Sequence, residues 1–452
     1  MKQRYVALMA GLALLVPASF ASASGFALIE QSASGLGTAY AGGAAAAEDA
    51  STVFFNPAGM VLLDGQQVSG MLHYIIPSAT FSKDTAQNVV GAPLSGGEGG
   101  DAGVGKLIPN LFYTTKLNND LAVGLGISTP FGLVTDYDKT WVGRYHAVTS
   151  DVMTININPS IAYKVNDQFS IGAGLNAQYM KAELSSMVDG GLAYYTSTGV
   201  STYVSNPAAD IYGNLKGDSW GFGYNLGLLY TPTKDTRIGL SYRSQVKQSL
   251  EGDATFTAQD ATNPIAAGLL STTFTNRDIT ADISLPASAS LSAYHRLTSA
   301  WALMADISWT QWSSFDKLVV NYDGTADYLS THPSVTTENW RDTWRFSAGA
   351  TYNPTQQLTL RTGIAYDQAP VPDAEHRTPR IPDNNRFWIA LGGGYKLSER
   401  ISFDLGYAHL FVRDAEINKT AIPGTEDAAR GTLVGTYSDH VDIISTQLNY
   451  KF

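Results

Sequence analysis

Trp220-Gly221-Phe222-Gly223-Tyr224-Asn225-Leu226-Gly227-Leu228-Leu229-Tyr230 sets large apolar side chains at alternate positions and glycine or asparagine between them. Successive side chains of a strand point to opposite faces, so this segment is a strand with one bulky apolar face and one small or polar face. The same register recurs at Leu121/Val123/Leu125/Ile127, Ile171/Ala173/Leu175, Ile238/Leu240/Tyr242, Trp301/Leu303/Ala305/Ile307, Trp344/Phe346, Phe387/Ile389/Leu391, Ile401/Phe403/Leu405 and Ile444/Leu448/Phe452. A soluble sandwich would solvate its second face with charge. Here that face is Gly, Ala, Ser, Asn and Thr, with isolated charges such as Arg243, Arg345, Arg361 and Asp404. Lipid outside and a filled lumen inside account for both faces, and aromatic residues at the ends of many runs fit interfacial girdles.

Composition agrees. The chain has 452 residues of which 15% are charged, against roughly 25% in soluble globular chains. It carries 43 glycines and 11% aromatics, and its mean hydropathy of -0.07 is too low for a bundle of apolar helices, which need about 20 apolar residues per span. There is no cysteine, which excludes a disulfide framework and thiolate chemistry. A net charge of -11 without a basic run argues against a nucleic-acid partner.

The alternation resolves into roughly fourteen strands over residues 67–452, so the expected fold class is all-β, a transmembrane antiparallel barrel. Short connections, such as Leu117-Asn118-Asn119-Asp120 and Asn166-Asp167, alternate with long ones at 185–216, 251–279, 321–341 and 415–440. Lys2 and Arg4, an apolar run from Val6 to Val16 and the small residues Ala21-Ser22-Ala23 read as a signal peptide over 1–23. The next stretch, 24–66, is rich in glycine and alanine, poor as strand and suited to close packing; it is expected to fold as a compact plug with short helical turns.

Three blocks carry a family resemblance. The first is Gly25-Phe26, Ser34-Gly35-Leu36-Gly37, Ala39-Tyr40-Ala41-Gly42 and Asn56-Pro57-Ala58. The second is Gly217-Asp218-Ser219-Trp220-Gly221-Phe222-Gly223 running to Tyr242-Arg243-Ser244. The third is Arg361-Thr362-Gly363-Ile364-Ala365-Tyr366-Asp367, Pro370-Val371-Pro372 and Ile381-Pro382-Asp383 to Arg386-Phe387-Trp388. In this order they resemble the FadL family of outer-membrane channels for long-chain fatty acids and other hydrophobic compounds. The resemblance implies a fourteen-stranded barrel in the outer membrane of a Gram-negative bacterium. It also implies a lumen closed by an N-terminal hatch, uptake by diffusion and lateral exit through a gap at a kinked third strand. Aromatic or alkane hydrocarbons are the alternative cargo.

Candidate site residues follow from both readings. Phe26 matches the family's hatch phenylalanine that reaches a lumenal ligand site, with Leu28 and Ile29 beside it. Asn56-Pro57-Ala58 is expected to anchor the hatch, since Pro57 fixes φ and Asn56 can bond the local backbone. Pro130, Phe131 and Gly132 fall at the end of the third strand. A proline cannot donate to a ladder and a strand glycine marks a bulge or kink, so this strand is expected to leave a neighbour there unless it simply turns into a loop. Arg243 and Lys247 are expected inward on the seventh strand, and Arg361 and Arg386 inward on the eleventh and twelfth. Each can receive a carboxylate, or be taken by Asp367, Asp404, Glu48 or Asp49. By the resemblance, the long loops 185–216 and 251–279, which include Met187, Ile211, Phe256 and Phe274, form an external hydrophobic groove that captures ligand first.

No catalytic residue, metal site or cofactor is expected. Gly217-Asp218-Ser219-Trp220-Gly221 fits a nucleophile elbow only literally, because it opens a strand rather than a helix, and the seven histidines are scattered. A general diffusion porin would leave residues 24–66 without a place. The expected partners are a fatty acid or other hydrophobic small molecule, outer-membrane lipid, and the barrel-assembly machinery through the terminal Phe452, with the chain acting as a monomer.

Overall fold

A computed structural model describes residues 25–324 and 327–452; the expected leader at 1–23 lies outside the described residues. Twenty strand segments form one sheet, and those separated by short breaks join into fourteen antiparallel wall strands. In order these are Gln66–Gln87, Lys106–Lys116, Leu121–Ser128 with Gly132–Asp136, Thr149–Lys164, Phe169–Val188, Ile211–Thr233, and Thr236–Arg243 with Val246–Ala258. The remainder are Arg277–Leu285 with Ser288–Arg296, Trp301–Thr310 with Lys317–Tyr322, Ser334–Thr337 with Thr343–Tyr352, Leu358–Asp367, Arg386–Lys396, Ile401–Val412 with Ala415–Lys419, and Thr432–Lys451. The first pairs with the last, from Gln67 opposite Lys451 to Gln87 opposite Thr432, so the sheet has no free edge at the seam. Among the described residues no helix is long and apolar enough to cross a membrane.

Alternation builds the wall as the sequence implies. On the sixth strand Trp220, Phe222, Tyr224 and Leu226 are exposed on the outside while Ser219 and Asn225 are buried inside. Two sequence expectations fail for one reason: the ladder outlasts the apolar pattern. The fifth and sixth strands run to Val188 and from Ile211, and the seventh and eighth to Ala258 and from Arg277. Their outward faces there turn to Lys181, Glu183, Lys216 and Glu251, so the alternation fades although pairing continues. Met187, Ile211 and Phe256, expected in external loops, are therefore wall residues buried in apolar clusters of the barrel's upper interior, and Phe274, in the connection ahead of Arg277, is buried with them. The seventh strand also breaks at Ser244 and Gln245. Its inward set shifts from Gly239 and Arg243 to Val246, Gln248 and Leu250, which turns Lys247 to the outside. Lys247 is not a lumenal cation.

Residues 25–63 pack against the inner wall through short helical turns at Ala33–Leu36, Gly43–Ala46 and Thr52–Phe55 and a 3₁₀ turn at Pro57–Leu62. Asn56 is fully buried. Its Oδ1 accepts from the Ala58 amide at 3.1 Å, and its Nδ2 donates to the carbonyls of Ala44 at 2.7 Å and Leu228 of the sixth strand at 3.0 Å. Glycine on the wall permits the approach: a side-chain carbon at Gly172 would overlap the Pro57–Ala58 backbone, and one at Gly363 the Thr38–Ala39 backbone.

Over the opposite end the loops close on a fully buried pair, with Arg144 Nε donating to Asp210 Oδ2 at 2.7 Å and Tyr145 donating to Asp210 Oδ1 at 2.8 Å. Two helices from the long loops, Gly190–Thr198 and Pro264–Thr272, meet where Leu269 sits over Gly190.

Candidate functional site

The wall opens at one side. The third strand pairs with the second only from Leu111 opposite Ile127 to Lys116 opposite Ala122. Above that, residues 106–110 of the second strand pair with the first strand alone, and Gly132–Asp136 pairs with the fourth; the opening is bounded at its far end, where Thr135 bridges to Gly103 and Asp136 N–H donates to Ala102 O at 3.0 Å in the connection ahead of the second strand. Each edge of the opening carries a proline, Pro109 and Pro130, which removes an amide that would otherwise lack a partner. The groups freed by the break are met from inside. Leu28 N–H donates to Pro130 O at 2.8 Å and Gly132 N–H to Phe26 O at 3.0 Å. Gln31 Nε2 donates to Thr129 O at 3.0 Å, Thr129 N–H to Asn110 Oδ1 at 3.1 Å, and Phe131 N–H to the Thr154 hydroxyl at 3.0 Å. Residues 26–28 of the N-terminal segment thus act as a strand laid across the break, satisfying backbone groups that burial would otherwise penalise.

A cavity of about 560 Å³ runs from this opening into the lumen. Leu28, Ile29, Pro130, Phe131 and Gly132 line it, and Arg243, Arg345 and Arg386 reach it from the wall. Phe26 lies at its upper limit, nine-tenths and more buried, with ring centroids 4.9 Å from Trp312, 5.9 Å from Phe315 and Trp340, and 6.0 Å from Phe131. Beyond that aromatic nest is a smaller apolar cavity of about 70 Å³, to which Phe26, Leu133 and Val152 also contribute. Phe26 therefore stands between the two spaces. Gly25 must be glycine: its φ is +60°, and a side-chain carbon would strike Trp312 and Trp340.

The lumenal cations differ in how they are engaged. Arg361 is paired with Asp404 at 2.8 Å and Glu48 at 3.1 Å and does not line the cavity. Arg386 is paired with Asp383 at 2.9 Å. Arg345 donates to Ala39 O and lies over the Trp388 ring, with Asp367 at 3.8 Å. Arg243 faces no carboxylate within ion-pair distance among the described residues. It donates to Asn176 Oδ1 and to Phe54 O, and covers the Phe54 ring at 4.3 Å. An uncompensated guanidinium in an apolar cavity is a ready receptor for one carboxylate.

Sequence reasoning missed Pro109, Glu30 and the tryptophans Trp312 and Trp340. Pro109 carried the signal already used for Pro130, a proline inside a strand run. Glu30 gave none: it is a carboxyl of the N-terminal segment, 5% exposed on the cavity wall. Burial raises its pKa to about 7 against the opposing pull of Arg386 and Arg345.

The outer membrane transport protein family described as OMPP1/FadL/TodX matches residues 14–452. A putative outer membrane protein of Neisseria meningitidis is 33% identical over 460 residues, covering 97% of this chain and 98% of that one. A long-chain fatty acid transport protein of Escherichia coli is 32% identical over 441 residues, covering 91% and 93%. The crystal structure of a FadL homologue from Pseudomonas aeruginosa superposes with a TM-score of 0.87 at 28% identity, over 95% of this chain and all of that one.

Proposed function

The chain belongs to the OMPP1/FadL/TodX family of outer membrane proteins that transport hydrophobic compounds, and on that premise we propose that its cargo is long-chain fatty acids, taken up passively. The observation that carries this reading is Arg243, a cavity-facing cation without an acid partner among the described residues, beside apolar lining. A fatty acid needs an apolar slot for its tail and donors for one charged end. The cavity supplies Leu28, Ile29 and Phe54 to the tail, and Arg243 supplies the donors.

The route in the proposal begins outside, where ligand partitions onto apolar loop residues, enters the small upper cavity and meets Phe26. Displacing Phe26 joins the two cavities. Because Phe26 and Leu28 also bond the broken third strand, the same displacement frees the opening between Pro109 and Pro130. No energy source enters the scheme; transfer follows the gradient and the preference of the tail for lipid.

The test is uptake of labelled oleate and of toluene by cells lacking and carrying the protein. Oleate uptake that depends on the protein, with little effect on toluene, supports the reading. The reverse pattern assigns a hydrocarbon cargo, and fast sugar flux would point to an open porin.

A further inference from the structure

We propose a second carboxylate-binding subsite, formed by Lys106 and Lys181 on the outer rim of the lateral opening, which holds the acid group of a departing fatty acid while its tail enters the membrane. This rests on the lateral-exit reading above and adds residues and a direction to it.

Lys106 begins the second strand at the unpaired edge, and its Nζ reaches Asp151 Oδ2 on the fourth strand at 3.0 Å. The pair therefore bridges the second and fourth wall strands where the third has left the second. Both side chains remain substantially exposed, 47% and 38%, so the bond is weak and exchangeable. Lys181 on the fifth strand lies opposite Met153 in register. Its neighbour Glu183 is engaged by Lys216 at 3.2 Å, and Lys181 has no carboxylate within ion-pair distance among the described residues. Lys106, Asp151, Lys181 and Glu183 all line the cavity that holds Arg243 and Leu28, so one continuous space joins the lumenal cation to these two.

The surroundings give the direction. The rim is otherwise apolar, with Leu107, Pro109 and Met153. Toward the short-turn end the outer wall beside the opening is Leu111, Ile127, Ile155 and Ile157, all exposed. Lys181 lies two residues beyond Tyr179, which packs against Trp220 on the outer surface at 5.4 Å as an interfacial pair. A ligand that leaves tail-first along those apolar side chains comes to rest with its acid level with Lys181 and Lys106. Lysine suits this: a point charge on a long stem exchanges Asp151 for a passing carboxylate without a fixed geometry. Asp151 keeps Lys106 at the rim between ligands.

The experiment compares labelled oleate with oleyl alcohol, which has the tail and no charge, in cells at matched surface expression. Lys106→Met combined with Lys181→Met is expected to lower oleate uptake about fivefold, as loss of an exposed charge-assisted contact implies, and to leave oleyl alcohol uptake unchanged. Lumenal oleate affinity of the purified variant stays as in the wild type, and Lys106→Arg with Lys181→Arg restores uptake. The subsite is overturned if the methionine variant changes neither cargo, or slows both equally. Pro130→Val with Gly132→Val separates the two claims. If filling the opening slows neither cargo, lateral exit itself is wrong; if it slows both while the methionine variant is silent, only the rim subsite is wrong.

Discussion

The amide of Gly132 donates to the carbonyl of Phe26 at 3.0 Å, so the break in the barrel wall and the N-terminal segment packed inside it are one hydrogen-bonded unit. Neither can change state alone. Moving the plug's first residues leaves Gly132 and Pro130 unpartnered, and closing the wall evicts Phe26.

That coupling predicts the behaviour of Phe26→Ala. Truncating a packed phenylalanine costs about 3–5 kcal/mol, here charged to the contacts with Trp312, Phe315 and Trp340. Hydrogen exchange at the Leu28 and Gly132 amides is expected to accelerate at least about a hundredfold, while amides at the seam between first and last strands stay protected.

Arg243 gives a binding prediction. Replacing it with glutamine removes the charge while keeping a donor, and oleate affinity of the purified protein is expected to fall about tenfold or more. Affinity for oleyl alcohol should hold. Titration against a fluorescent fatty-acid analogue measures both.

Glu30 makes plug docking depend on pH. Its folded pKa, raised to about 7 by burial, lies above its unfolded value. The docked plug therefore binds the proton more tightly, and docking is favoured below about pH 4.5 and weakens as pH rises through 7, by about 3 kcal/mol in all. Exchange protection of residues 25–31 should thus be higher at pH 5 than at pH 8. Glu30→Gln should abolish the difference.

Asn56 holds three hydrogen bonds that no neighbour replaces. Asn56→Ala is expected to loosen the plug by roughly 3 kcal/mol and to raise the ion conductance of the protein in planar bilayers. The barrel should still shift on heating in gel electrophoresis like the wild type, because none of the lost bonds joins one wall strand to another.

Much of this architecture is written locally in the chain. The strand number, the inward glycines and the kink at Pro130–Gly132 each rest on a residue type that has few other uses in a barrel. What was hidden depends on two segments at once. Nothing around Arg243 says that Asn176 and Phe54, rather than an acid, will face it. Arg361 looks the same in sequence and is neutralised by Asp404 and Glu48. Lys247 turns outward because a break at Ser244–Gln245 flips the face of every residue beyond it, a slip that alternation within one strand does not reveal. The Trp312–Trp340 nest brings together breaks in the ninth and tenth strands; Trp312 reads as part of a continuous strand and Trp340 as part of the loop 321–341, and neither segment alone shows that they meet.

The central claim is that cargo leaves through the opening between the second and third strands. With no native cysteine in the chain, Leu107→Cys or Gly132→Cys can be blocked selectively and reversibly by a bulky methanethiosulfonate in intact cells. Oleate uptake is predicted to fall to the level of cells without the protein on labelling, and to return on reduction; full uptake at complete labelling of both positions would contradict it.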